Sequence, residues 1–178
     1  MREILVIGIG AGNPEYITVQ AINALNAADV FFVVDKGEDK SGLLALRTEI
    51  CDRYVNDRDY RLVAIPEPPR DREAAAYADA VRDWHERRAE LVEAAIIEHL
   101  AEDGRGAFLV WGDPALYDST PAILADVLAR GGVSFEVEIV PAGCPRSKNQ
   151  PGRRTASMLA PRLSRVRAAA CQALTTSG

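Results

Sequence analysis

Apolar strands alternate with helical segments along this 178-residue chain, and that alternation predicts an α/β domain on a mostly parallel five-stranded sheet with flanking helices. Three observations carry the expectation. Five short runs rich in Val, Ile, Leu and Phe recur along residues 1–140. The segments between them space apolar residues three or four apart. Glycine and proline stand at the junctions.

Residues 3–9 (EILVIGI) read as a buried strand ending in glycine, and residues 14–27 as a helix with Pro14 in its first turn and Ile17, Ala21 and Leu25 on one stripe. A second buried strand is expected at 29–34 (DVFFVV), a short helix at 42–53, and a third strand at 60–65 (YRLVAI) closed by the Pro-rich turn at 66–69. A long helix is expected over about 71–102, with Tyr77, Val81, Trp84, Leu91 and Ala95 as its apolar stripe and Gly104 as its stop. Its charged run from Arg70 to Glu90 reads as a solvated face laced with (i, i+4) pairs. A fourth strand (106–111), a helix (119–130) capped by Ser119 and closed by Gly131 and Gly132, and a fifth strand (134–140) complete the pattern. Residues 1–141 are expected to form this domain.

After Val140 the periodicity stops and the charge inverts. Residues 1–140 carry a net charge of −12, whereas residues 141–178 contain no acid and carry +7. Residues 142–178 are expected to be disordered. Nucleic acid is not the expected partner of the basic segment, which has no aromatic residue for base stacking, while the acidic body repels phosphate. Three scattered cysteines without a CxxC pair argue against a disulfide framework or structural zinc. With no signal peptide and no membrane-length apolar run, they fit a cytoplasmic protein.

In a parallel sheet, ligands bind outside the carboxyl ends of the strands. Gly8–Pro14, Asp35–Lys40 and Gly112–Thr120 occupy that edge. The first loop, Gly8-Ile-Gly10-Ala11-Gly12-Asn13-Pro14, suggests a dinucleotide fingerprint, which would make the domain a nucleotide-binding oxidoreductase. However, the third glycine of GxGxxG would fall at Asn13, and no GK[ST] follows for a P-loop. Taken alone, each loop also reads as a plain turn.

The two loops together resemble the tetrapyrrole (cobalamin-pathway) methylases. Gly8, Gly10, Gly12, Asn13, Pro14, Ile17, Thr18, Asp29 and Val30 match one signature of that family, and Gly112, Asp113, Pro114, Tyr117, Asp118 and Ser119 match the other. The resemblance spans about residues 1–140. It implies S-adenosylmethionine as methyl donor and no metal. Gly10, Ala11, Gly12, Gly112, Asp113, Pro114 and Tyr117 would bind the donor, a precorrin-type tetrapyrrole would be the substrate, and the protein would be a homodimer as in the family. Longer strings (VFFVVDKG at 30–37, Tyr77–Arg87 and AFLVWGDPALYDST at 107–120) resemble the family's deacetylating branch. They imply methylation of ring carbon C-1 of precorrin-5 with release of acetate. Releasing acetate wants a base to activate water. The candidates are Asp35, His85, His99 and Asp113, with Asp35 and His85 placed first.

The family carries a second α/β domain after the fifth strand, and the resemblance implies that this domain is missing here. Codons for Gly143–Asn149 exist that spell Leu-Ser-Ala-Val-Gln-Glu in another frame, and Arg153–Ser157 can yield Ala-His-Arg-Ile. Both strings are family-like, so residues from about 142 onward are expected to be a frameshifted tail and the chain weakly active or inactive.

Overall fold

The computed structural model describes residues 1–35, 41–56, 60–69, 77–114 and 118–142. The basic segment from Gly143 onward, for which disorder and a shifted frame are expected, lies outside the described residues, as does Tyr117.

The described chain forms β1 (Arg2–Gly8), α1 (Val19–Ala27), β2 (Val30–Asp35), α2 (Ser41–Tyr54), β3 (Arg61–Pro66), α3 (Tyr77–His99), β4 (Arg105–Val110), α4 (Thr120–Arg130) and β5 (Phe135–Val140). The sheet order is β3-β2-β4-β1-β5, and every ladder is parallel. Central parallel strands are covered on both faces, which is why the three central runs, β1, β2 and β4, are nearly continuous in apolar residues. The odd residues of β1 (Leu5, Ile7) join Ala21 and Leu25 of α1 and Ile50 and Cys51 of α2 in one core layer. The even residues (Ile4, Val6) join Ala89, Val92 and Ile96 of α3 and Leu124 and Val127 of α4 in the other. Edge strand β5 alternates, with Glu136, Glu138 and Ile139 partly or wholly open to solvent.

Several elements depart from expectation. The segment expected as one helix over 14–27 is two pieces. Asn13 accepts a hydrogen bond from the Glu15 N–H and opens a 3₁₀ turn at Pro14–Tyr16; Thr18, extended, then accepts from Ala21 N–H and starts α1 afresh. The buried stripe of α3 is Arg88, Ala89, Val92 and Ile96, with Val81, Trp84, Leu91 and Ala95 half-buried beside it. The helix packs against both the sheet and its neighbour α4, so its covered arc is wider than one stripe. Ser119 is not the side-chain cap of α4. Its backbone is already helical, and the Asp118 carboxylate accepts the Thr120 N–H at 2.6 Å instead. Gly131 closes α4 with φ +79°, as a left-handed C-cap requires. No described helix is long and apolar enough to cross a membrane.

Candidate functional site

Adjacent strands β1 and β4 send their chains to opposite faces of the sheet: α1 lies in one layer and α4 in the other. That is the switch point at which a crevice opens outside the carboxyl ends. The two glycine loops meet there. Ile9 N–H donates to the Val110 carbonyl at 3.0 Å and Gly112 N–H to the Gly10 carbonyl at 2.9 Å, so the β1 and β4 exits are tied as an antiparallel pair. Gly10 (φ +75°), Gly12 (φ +110°) and Gly112 (φ +72°) take backbone conformations that side-chain-bearing residues rarely adopt.

Space is as restrictive as backbone angle. A Cβ on Gly8 would stand 2.7 Å from both the Ala142 backbone nitrogen and the Pro114 ring, so the exits of β1, β4 and β5 converge on one glycine. A Cβ on Gly12 would stand 2.7 Å from the benzo end of the Trp111 indole. The result is a cradle walled by backbone: protein atoms fill the space that side chains on Gly8 and Gly12 would take, and beside Gly112, where a Cβ would meet nothing within 4 Å, it stays open.

The structure thus brings together Gly10, Ala11, Gly12, Gly112, Asp113 and Pro114. Pro114 is buried against Gly8, and Ala11 is exposed. Asp35 ends β2 at the same carboxyl edge, paired with Pro66; its side chain lies outside the described residues. His85 is not in the glycine cradle but on α3, one turn before Arg88, with its ring edge-on to Trp84 at 5.0 Å between centroids. Trp84 donates its indole N–H to the Pro68 carbonyl, and the Arg88 guanidinium lies 4.5 Å over its ring. His99 is the last residue of α3, next to Leu100 and Gly104, toward the amino ends of the strands. Among the described residues, no three His, Cys, Asp or Glu side chains gather as a metal site would need.

Two arginines missed by motif reading flank this edge. The β2–β4 ladder stops after Phe32 and Phe108, so the Leu109 carbonyl, which faces β2, has no strand partner; Arg47 Nε donates to it at 2.8 Å. From the other layer, buried Arg88 pairs with Glu67 at 3.5 Å. Burial lowers the pKa of both guanidinium groups from its usual value, and the Asp118 carboxylate opposes that in both. A lone arginine in an otherwise ordinary helix carries no local signal that would have revealed either one.

A dinucleotide site sets the pyrophosphate on the helix that follows the first strand. Here the 3₁₀ turn and extended Ile17–Thr18 separate the glycine loop from the start of α1. The oxidoreductase expectation therefore finds no support. Fold and site define a parallel α/β protein with a glycine-backbone cradle at the switch point. The sequence pattern of the Tetrapyrrole (Corrin/Porphyrin) Methylases matches residues 3–144, and the chain belongs to that family.

The chain is 52% identical over 141 residues to precorrin-6A synthase (deacetylating) of Sinorhizobium sp, covering 79% of this chain and 54% of that protein. It is 30% identical over 139 residues to a precorrin-2 C(20)-methyltransferase of the same source, covering 78% and 52%. Among solved structures, a cobalamin-synthesis-related protein (CobF) of Corynebacterium diphtheriae superposes with TM-score 0.65 at 38% identity, covering 82% of this chain and 55% of that one. The chain spans about half the length of these relatives.

Proposed function

We propose that this protein is an S-adenosylmethionine-dependent C-methyltransferase acting on a precorrin-type tetrapyrrole: it methylates C-1 of precorrin-5 and releases acetate to give precorrin-6A. The observation that carries the reading is the tied pair of loops at Gly10 and Gly112, in a chain 52% identical to precorrin-6A synthase (deacetylating).

When bound, the donor supplies an activated sulfonium methyl, so the protein has to position the reactants rather than provide a nucleophile. Gly10, Ala11, Gly12, Gly112, Asp113, Pro114 and Tyr117 would hold it. Positive φ at Gly10, Gly12 and Gly112 shapes the two loops, and at Gly112, where a Cβ would meet nothing within 4 Å, the missing side chain leaves room for close approach. Release of acetate needs water delivered to the acetyl carbonyl. Asp35, at the strand edge, and His85, on α3, are our candidates for taking its proton, and Asp35 is the nearer to the crevice by its place in the sheet. A homodimer in the cytoplasm completes the reading.

We also infer that residues 142–178 are read in a shifted frame, on the strength of the charge inversion after Val140 and the family-like strings recovered in the other frame. Sequencing the gene across codons 140–145 tests this.

Calorimetric titration with S-adenosylhomocysteine and with NADH tests the function. S-Adenosylhomocysteine should bind and NADH should not, and binding should strengthen in a version continued from Pro141 in the other frame. A preference for NADH, or no heat with S-adenosylhomocysteine in either version, refutes the assignment.

A further inference from the structure

Trp111 is the residue of the crevice that neither signature motif explains. Tryptophan is usually well buried, yet Trp111 is 48% exposed. It is also held at both ends. Its backbone lies between Val110 and Gly112, both hydrogen-bonded to the β1 exit, and the benzo end of its indole stops against Gly12. An aromatic ring packed at one end and otherwise half open, with only two side-chain torsions to restrict, loses little freedom when a ligand covers it. Across Gly10 lies Tyr16, 68% exposed, whose Cβ is 3.8 Å from where a Gly10 Cβ would stand. Two exposed aromatic residues therefore flank the tied glycine pair.

We propose that Trp111 is the platform on which the conjugated face of the tetrapyrrole macrocycle rests, with Tyr16 extending the apolar surface. This rests on the methyltransferase reading above and divides the work of the crevice. The glycine backbone offers polar N–H and C=O groups and suits the amino-acid part of the methyl donor. The indole offers a flat apolar face, which suits a macrocycle whose carboxylates are all at its rim. Stacking beside the Gly10–Gly112 pair holds the accepting carbon close to the loops that hold the donor, which is the positioning that methyl transfer needs. The adenine of the donor is the competing occupant, since it too has a π face.

The test uses the full chain and its Trp111→Leu and Trp111→Phe variants. Uroporphyrin binding is followed by the shift of the porphyrin absorption band and S-adenosylhomocysteine binding by calorimetry. Stacking of this kind predicts that Trp111→Leu weakens uroporphyrin binding about 5- to 50-fold while Trp111→Phe stays within about threefold of the parent. S-Adenosylhomocysteine affinity should be unchanged in both. Uroporphyrin binding that is absent from the parent chain, or undiminished in Trp111→Leu, overturns the platform. So does an equal loss of both ligands, which would assign the indole to the donor or to the fold. Failure of the underlying methyltransferase reading shows separately, as S-adenosylhomocysteine binding absent both from the parent chain and from the version continued from Pro141 in the other frame.

Discussion

Gly8 and Gly12 are both intolerant of a side chain, but for different reasons. Gly8 has an ordinary backbone conformation and is constrained by space alone, between the Ala142 nitrogen and the Pro114 ring. Gly12 combines φ +110° with the Trp111 indole at its missing Cβ. Alanine at Gly8 must push the β5 exit away from β1. We expect about 1–3 kcal/mol of destabilisation and at least about tenfold weaker S-adenosylhomocysteine binding. Alanine at Gly12 displaces a half-exposed ring that can move. It should cost less stability, about 1 kcal/mol for the strained backbone, with a comparable loss of binding. Urea unfolding and calorimetry on the two variants separate these effects; equal stability losses would show that the indole is as immovable as the backbone.

At the scale of elements, the start of α4 shows how a loop can serve a helix and a site together. Asp118, rather than Ser119, holds the first free N–H of the helix. The same carboxylate acts on Arg47 from one layer and Arg88 from the other. Asp118→Ala should therefore cost about 1 kcal/mol or more, the usual worth of a cap, whereas Ser119→Ala should be nearly neutral. Urea midpoints decide it, and the reverse order would return the cap to Ser119. The two-piece segment after β1 follows similar local chemistry. Asn13 and Thr18 each accept a backbone N–H, and the extended residues between them stop one helix from forming. That break also parts the helix dipole of α1 from the glycine loop, removing the feature on which a dinucleotide site depends.

For the molecule as a whole, stability should decline on the alkaline side. Cys51 is buried in the α1–α2 layer, and burial, with the Asp52 carboxylate beside it, pushes its thiol up to about 12. Tyr60, which donates to Asp52, is raised to about 12, chiefly by that hydrogen bond. In both, the folded state holds the proton more tightly than the unfolded chain. Their contribution is therefore complete below about pH 9 and is lost progressively between about pH 9 and 12. Cys51→Ala should flatten the onset of this decline near pH 9–10, where one thiol contributes up to about 1.4 kcal/mol per pH unit. An unchanged slope in denaturant unfolding would place the alkaline loss elsewhere.

The strands were legible because each is a short run rich in β-branched, aliphatic or aromatic residues; β1, β2 and β4 are buried along nearly their whole length, the edge strands β3 and β5 in part, and burial needs no partner to be named. Both glycine loops were legible too, since a turn that requires positive φ restricts the residues allowed. Strand order, the joining of Gly10 to Gly112, and the convergence of Gly8, Pro114 and Ala142 were settled only by tertiary structure, because each depends on residues distant in the chain. The same holds for Arg47, which has a role only because β2 parts from β4 beside it, and for the indole of Trp111, whose setting is built by a loop from the far end of the domain. Local sequence determines which conformations a segment can adopt; which groups face one another across a crevice is decided when the strands take their order in the sheet.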